Sequence, residues 1–217
     1  MSAELNKKTI LTNIPHYYVT DETCENLFFK ARMYGFEKVI IGPSTAKIAQ
    51  KLRGDLKVGI SISYPAGAVY PELKAEEIKD FEENGLTAAD EYYVTAALGY
   101  FISGHPENLE QEMSLCVAAA NGKPVYFFLE AAEMSDADIE SACAIASKAG
   151  VKGLVASNGF LAYDIKRSGP EDIKRLKKYA GDLEILACGL LKSEADIEAS
   201  LAVGADSVIL DDPNVLI

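Results

Sequence analysis

The sequence predicts an α/β fold of the (β/α)8 class, a TIM barrel. The main observation is a unit that recurs along the chain, in which a segment of helical periodicity ends at a glycine and a short apolar run follows. Glycine is favoured there because the residue just past a helix often adopts a left-handed backbone conformation. Seven glycines mark such passages: Gly35, Gly54, Gly85, Gly122, Gly150, Gly181 and Gly204. Seven passages from helix to strand, preceded by one opening strand, give eight strands.

The apolar runs after these glycines are the predicted strands. They are short and almost continuously apolar, which is typical of parallel strands covered on both faces. With the opening strand, they are expected at residues 8–14, 38–42, 57–63, 90–95, 124–130, 153–157, 184–188 and 206–210. Eight strands in strict alternation with helices favour a closed barrel, and 217 residues is a compact length for that fold. A doubly wound open sheet is the alternative.

Helix starts support the same order of elements. Four segments place a hydroxyl residue at a predicted N-cap, with acidic residues in the first helical turn, where they complement the helix dipole. These segments are residues 20–23, 135–138, 168–171 and 193–196. In the third segment Pro170 occupies a position where its missing N–H costs nothing.

The chain ends at Ile217, seven residues after the last predicted strand. The closing helix is therefore expected to be truncated or missing. Because an uncovered barrel exposes apolar faces, we expect a contact between copies there, and hence a homo-oligomer. No linker or low-complexity tract divides the sequence, so residues 1–217 are expected to form one domain.

Charge and composition exclude several classes of function. The formal net charge is −12, which disfavours nucleic acids and anionic membrane surfaces as partners. The segment MSAELNKKTI lacks the apolar core of a signal peptide, and no apolar stretch is long enough to cross a bilayer, so we expect a cytoplasmic protein. Four dispersed cysteines and two histidines argue against a disulfide scaffold and a histidine-rich metal site. We expect no cofactor.

In a (β/α)8 barrel the ligand site is built by the carboxyl ends of the strands and the loops after them. No lysine, arginine or histidine is among the residues that this rule selects. They are Asn13, residues 42–44, residues 63–65 including Ser63, residues 93–95, Glu130, residues 157–159, residues 188–189 and residues 211–212.

Several of these strand ends lie in stretches that resemble a known family. The stretches include FEKVIIGPSTA, VGISISYPAGA, ADEYYVTAALGYFISG and ACGLLKSEADIEASLAVGADSVILDD, and the most specific runs without a gap from Ala120 to Phe160. They resemble the deoxyribose-phosphate aldolases and the related DeoC/LacD aldolases over nearly the whole chain.

The resemblance implies a Schiff base between a lysine of the sixth strand and an aldehyde, assisted by an aspartate of the fourth strand and a second lysine of the seventh. The matching positions in this chain are Val155, Tyr93 and Leu186. Loss of one member of a buried charged trio would leave an uncompensated charge costing roughly 3–5 kcal/mol, whereas replacement of all three by uncharged side chains can be neutral. Because neither Val155 nor Leu186 carries an amine, Schiff-base activity is not expected.

The phosphate-binding end differs as well. The family has small and hydroxyl residues after the eighth strand, and this chain has Asp211 and Asp212. A carboxylate about 5 Å from a phosphate charge, at an effective dielectric near 20, is unfavourable by roughly 3 kcal/mol, about a hundredfold in affinity. A phosphorylated ligand is thus disfavoured.

Each candidate site residue has a functional and a structural interpretation. Glu130 is a general base or a hydrogen-bonding support, and Tyr93 is a donor to a ligand carbonyl or a space-filling ring. Cys188 is a nucleophile or, without a cationic neighbour, a packed apolar side chain.

The remaining candidates lie in the loops at the strand ends. Ser157, Asn158 and Gly159 bind a polar ligand or stabilise their turn. Asp211 binds a ligand, joins Asp212 and Glu130 around a divalent cation, or is solvated, and Asp212 before a proline also fits an N-cap.

The predicted function is the binding of a small neutral or cationic metabolite at the strand ends by an aldolase-related barrel without Schiff-base chemistry. The alternatives are a divergent lyase, isomerase or hydrolase that uses Glu130, Tyr93 or Asp211 for proton transfer, and a subunit that binds a partner protein.

Overall fold

A computed structural model describes residues 3–16, 18–84, 89–160, 166–189, 191–212 and 214. Eight parallel strands form a closed barrel in chain order, because β1 pairs with both β2 and β8. The strands are β1 (Thr9–Thr12), β2 (Lys38–Ile41), β3 (Lys57–Ile62), β4 (Glu91–Thr95), β5 (Val125–Phe128), β6 (Gly153–Val155), β7 (Glu184–Ala187) and β8 (Ser207–Leu210). The (β/α)8 prediction is confirmed, and each strand falls within its predicted range.

Helices alternate with the strands on the outside of the barrel. Those in the described residues are α1 (Ala3–Lys7), α2 (Asp21–Tyr34), α3 (Ala46–Leu52), α4 (Pro71–Asn84), α5 (Leu98–Ile102), α6 (Pro106–Ala119), α7 (Asp136–Ala149), α8 (Pro170–Tyr179) and α9 (Glu194–Ala202). The short helices α1 and α5 were not predicted. Within the described ranges, no helix is long and apolar enough to span a membrane.

Helix termini follow the predicted chemistry with one exception. Thr20 and Ser135 form reciprocal caps at α2 and α7, and Gly35 ends α2 with a φ of 72°. Ser168 was predicted to cap α8, but the N-cap is Gly169, and the Ser168 hydroxyl instead donates to the Ala156 carbonyl at the end of β6. Because Pro170 is the first helical residue, Ser168 lies one position too early.

The end of the chain lies largely outside the described residues. Residue 213 and residues 215–217 are outside the described residues. The predicted truncation of the last helix therefore falls outside them as well. Gly85, one of the seven predicted helix-terminating glycines, is also outside. The assignment of residues 1–217 to one domain stays a prediction.

Two apolar layers form on opposite faces of the strands. One packs the helices against the outside of the barrel, and the other fills its interior. The interior layer consists of Ile10, Ile14, Ile40, Tyr93, Tyr126, Phe128, Val155, Leu186, Cys188 and Ile209. The Tyr93 and Tyr126 rings stack at its centre, with centroids 4.9 Å apart and planes 10° from parallel.

The Tyr93 ring occupies space that Gly59 leaves on the neighbouring strand. A Cβ added at Gly59 would lie 2.5 Å from Cε2 of Tyr93, well inside van der Waals contact. Glycine at this position is therefore part of the packing of the barrel interior.

We predict that Gly59→Ala lowers the free energy of unfolding by about 1–3 kcal/mol, because the added methyl group overpacks the barrel interior. Urea unfolding of both proteins measures the difference. Gly99→Ala in α5 is the matched control, because a Cβ there meets nothing within 4 Å. Equal losses in the two variants would contradict this packing.

Candidate functional site

The carboxyl ends of the strands surround a cavity of about 490 Å³. We call it the strand-end cavity; among its lining residues are His16, Gly159, Arg167, Cys188, Lys192 and Asp211. Of the predicted site residues, Gly159, Cys188 and Asp211 are thus brought together. Its position at the C-terminal face of the barrel is where ligands bind in this fold.

Two smaller cavities adjoin the strand-end cavity. One of about 270 Å³ lies against β1 and α2 and shares Thr12, His16 and Asp211 with it. The other, of about 340 Å³, is lined by Ser63 and also by His16. His16 therefore borders all three cavities, although sequence reasoning gave it no defined role.

Glu130 lies at the centre of a hydrogen-bonded loop structure. Its carboxylate accepts from the Ser157 hydroxyl (3.0 Å) and from the Asn158 backbone N–H (2.9 Å). The Asn158 side chain donates to the Pro65 carbonyl at 2.7 Å, and the Tyr64 hydroxyl donates to the Asn158 carbonyl at 3.1 Å. These bonds join the loops after β3, β5 and β6, so both oxygens of Glu130 already have protein partners.

Burial also affects the acidity of Glu130. It raises the pKa of this carboxyl above its ordinary value, and the hydrogen bonds from Asn158 and Ser157 offset only part of the effect. The arrangement favours the supporting role of Glu130 over direct proton transfer to a ligand.

Tyr93 has an environment different from that expected of a ligand donor. It is fully buried, and its hydroxyl donates to Oε1 of Glu91 at 2.7 Å. Glu91 is the first residue of β4 and lies 3.0 Å from Nζ of Lys38, the first residue of β2. The hydroxyl therefore points toward the N-terminal end of the barrel, opposite the strand-end cavity. Although Tyr93 was selected for its place near the end of β4, its hydroxyl lies near the start of that strand, beside Glu91.

Val155 and Leu186 also lie in the barrel interior, where Val155 is completely buried. Among the described residues, the interior layer contains no lysine. Lys152 pairs with Glu184 at 2.8 Å, at the N-terminal ends of β6 and β7. A buried ammonium does exist at Lys74 of α4, but it lies outside the barrel, where it donates to Glu112 and to the Thr95 carbonyl.

Cys188 is buried at the edge of the strand-end cavity. Burial, with smaller contributions from Asp211 and Glu130, raises its pKa well above the ordinary cysteine value. Since the thiolate is the nucleophilic form, this environment fits a packed side chain better than a nucleophile.

Asp211 and Asp212 have different surroundings. Asp211 lines the strand-end cavity, whereas Asp212 accepts a hydrogen bond from the Asn214 backbone N–H at 2.9 Å, as a turn-capping residue does. In the described part of the chain, no three His, Cys, Asp or Glu side chains are grouped as metal ligands. The two aspartates and Glu130 are thus not gathered into a cation site.

Arg167 and Lys192 are site residues that sequence reasoning missed. Both line the strand-end cavity beside Asp211. They lie in the loops before α8 and α9, several residues beyond the ends of β6 and β7, and a search restricted to strand ends does not reach them. The only sequence signal was the basic pair Lys166 and Arg167 directly before a predicted helix start.

The closed parallel barrel and the cavity at its strand ends define this chain as a (β/α)8 barrel with a candidate site at its C-terminal face. It is 32% identical over 192 residues to a deoxyribose-phosphate aldolase of Streptococcus gordonii, covering 87% of this chain and 84% of that protein. A deoxyribose-phosphate aldolase of Listeria monocytogenes is 32% identical over 193 residues, with the same two shares. The chain belongs to the deoxyribose-phosphate aldolase family. No protein-family model matches it.

Solved structures of other proteins share the fold of this chain. The tetrameric deoxyribose phosphate aldolase from Aeropyrum pernix superposes with a TM-score of 0.85 at 25% identity, covering 96% of this chain and 87% of that one. The N-acetylmannosamine-6-phosphate 2-epimerase from Clostridium perfringens shares the fold, with a TM-score of 0.65 at 15% identity over 96% of this chain and 88% of the other.

We predict that the destabilisation caused by Glu130→Gln decreases as the pH rises. The folded protein binds the Glu130 proton more tightly than the unfolded chain, so ionisation of the native carboxyl costs stability above the ordinary glutamate pKa of about 4.3. Glutamine has no such cost. Urea unfolding of both proteins at several values between about pH 4 and pH 8 measures the difference. A difference that stays constant over this range would contradict the assignment.

Proposed function

We propose that this protein binds a small polar metabolite in the strand-end cavity and does not form a Schiff base with it. The observation that carries the proposal is the apolar interior around Val155 and Leu186, the positions where the family resemblance implies lysines. A Schiff base requires a neutral amine within reach of the aldehyde carbon. Neither side chain supplies one.

The chemistry of the cavity lining supports a polar ligand. Arg167 and Lys192 supply positive charge, Asp211 supplies negative charge, and His16 borders the same space. Asn13 lines the adjoining cavity of about 270 Å³, which Asp211 also lines. Both polar side-chain atoms of Asn13 are buried and have no hydrogen-bond partner among the described residues. A small molecule with hydroxyl groups and one anionic end fits this set.

The charge of the ligand depends on all the charged residues that line the strand-end cavity, and not on Asp211 alone. That residue disfavours a phosphate, and the sequence-based expectation of a neutral or cationic, unphosphorylated ligand rested on it. Arg167 and Lys192 line the same cavity and favour a single negative charge. We therefore propose a carboxylate in preference to a doubly charged phosphate.

A divergent lyase, isomerase or hydrolase is the second candidate. Of the three residues named for proton transfer, Asp211 lines the cavity, Glu130 is held by loop donors, and Tyr93 points to the opposite end of the barrel. His16 and Asp211 border two cavities in common, and they are the pair on which such an enzyme would depend.

The setting of the protein is also part of the proposal. We propose a cytoplasmic homo-oligomer, in accord with the acidic composition and the tetrameric Aeropyrum pernix relative. A role as a partner-binding subunit is the third possibility, and light scattering of the purified protein distinguishes a monomer from an assembly.

We predict that borohydride reduction in the presence of acetaldehyde leaves the barrel interior unmodified, because no amine lies there to condense. Intact mass and peptide mapping measure the adduct, with the Streptococcus gordonii aldolase treated in parallel as the reference. The extent of modification of Lys148, an exposed lysine on α7, gives the background for surface lysines. An adduct above that background at Lys192, the lysine that lines the strand-end cavity, would overturn the proposal that the site has no Schiff-base nucleophile.

We predict that glycerate raises the melting temperature of the protein more than glycerol or glycerol 3-phosphate does. The three compounds share a carbon skeleton and differ in charge, and binding to the folded state stabilises it. Arg167→Gln should weaken glycerate binding about tenfold, since a charge-assisted hydrogen bond contributes about 1.5 kcal/mol or more.

The matched control is Lys148→Gln, which alters an exposed lysine on α7 that pairs with Glu110. It should leave glycerate binding unchanged. Preference for glycerol 3-phosphate would contradict the proposed ligand charge while leaving the cavity as the binding site.

A further inference from the structure

A second cavity, of about 760 Å³, lies between the loops that follow β3 and β4 and is larger than the strand-end cavity. We call it the rim cavity. Its lining includes Tyr70 and Glu72 at the start of α4, Tyr100 of α5, and Gln111 and Glu112 of α6. It has no lining residue in common with the strand-end cavity. Its volume is within the range of small-molecule sites.

Two exposed aromatic rings form part of its wall. Tyr70 is 73% exposed and Tyr100 is 63% exposed, and they come from separate elements. Exposed aromatic side chains that converge on one cavity are characteristic of binding surfaces. The face of a tyrosine ring carries partial negative charge, which attracts cations.

A buried ion pair contributes Glu112 to the lining of the rim cavity. The Glu112 carboxylate is buried and accepts from Nζ of Lys74 at 2.5 Å and from the Ala97 backbone N–H at 3.2 Å. Lys74 also donates to the Thr95 carbonyl at 2.6 Å. This network ties α4 and α6 to the segment after β4, which leads into the helix that carries Tyr100.

The charge of the rim cavity is negative. Lys74 offsets the charge of Glu112, but Glu72 is exposed, and its carboxylate accepts a hydrogen bond from the neutral Nε2 of Gln111 at 2.8 Å. Over the described residues, no lysine, arginine or histidine lines the cavity. His105 contacts Tyr100 edge-on, with ring centroids 6.4 Å apart, and its Nδ1 lies 3.3 Å from Glu107.

We propose that the rim cavity binds an organic cation with apolar substituents, such as a quaternary or alkylated ammonium. Tyr70 and Tyr100 contact its positive head through their ring faces, and Glu72 supplies the opposite charge. An anion is repelled by Glu72, and a neutral apolar molecule lacks the electrostatic attraction that the ring faces and the carboxylate exert on a cation.

Titration calorimetry of the full chain with choline and with its neutral isostere 3,3-dimethyl-1-butanol tests the proposal at about pH 8, where histidine is neutral. The two probes have nearly the same shape and differ in charge. Choline should bind at least about fivefold more tightly than the alcohol. Equal affinities, or no detectable binding of choline at millimolar concentration, would overturn the proposal.

Variants locate the site. Tyr100→Leu and Glu72→Gln should each weaken choline binding by about threefold or more, while Tyr100→Phe, which keeps the ring, should retain most of the affinity. Tyr18→Leu is the control, because Tyr18 is 87% exposed and does not line the rim cavity. If Tyr100→Leu left choline binding unchanged, or altered the molecular mass in light scattering, the rim cavity would not be the cation site.

Discussion

The filling of the barrel interior without charge is the constraint on which this structure depends. Tyr93 and Tyr126 stack at its centre, and each hydroxyl reaches a glutamate at the N-terminal end, Glu91 for Tyr93 and Glu184 for Tyr126. The two rings thus provide volume for the interior, and the Tyr93 hydroxyl supplies a donor to the buried carboxylate of Glu91. The polar atoms are kept at one end of the barrel, and the apolar layer continues to Cys188 at the other.

This interior limits where a ligand can contact the protein. Val155 and Leu186 fill the barrel interior with apolar side chains. Polar contacts to a ligand in the strand-end cavity would therefore come from the surrounding loops, where Arg167, Lys192 and Asp211 line the cavity. The hydrogen bonds of Glu130 hold one of these loops in place. These contacts are of the kind expected from the supporting role weighed for Glu130 from the sequence, which stays a prediction.

The sequence predicted the strands well and the direction of long side chains poorly. Buried parallel strands reveal themselves as apolar runs, and helix-terminating glycines such as Gly35 bound them. The direction of the Tyr93 hydroxyl depends on the space above Gly59 across the strand pair, which no local pattern encodes. Arg167 and Lys192 were missed for a related reason, since the path of a loop decides whether its charged residues return to the strand ends.

Lys74 is a fully buried amine, and its contacts argue against a role in amine catalysis. Its ammonium donates both to the Glu112 carboxylate and to the Thr95 carbonyl, so no lone pair is free to attack a carbonyl compound. Removal of the Lys74 side chain would leave Glu112 as a buried charge without its partner, at a cost of several kcal/mol. The Lys74 amine therefore has a structural role, because its hydrogen bonds join α4 and α6 to the end of β4.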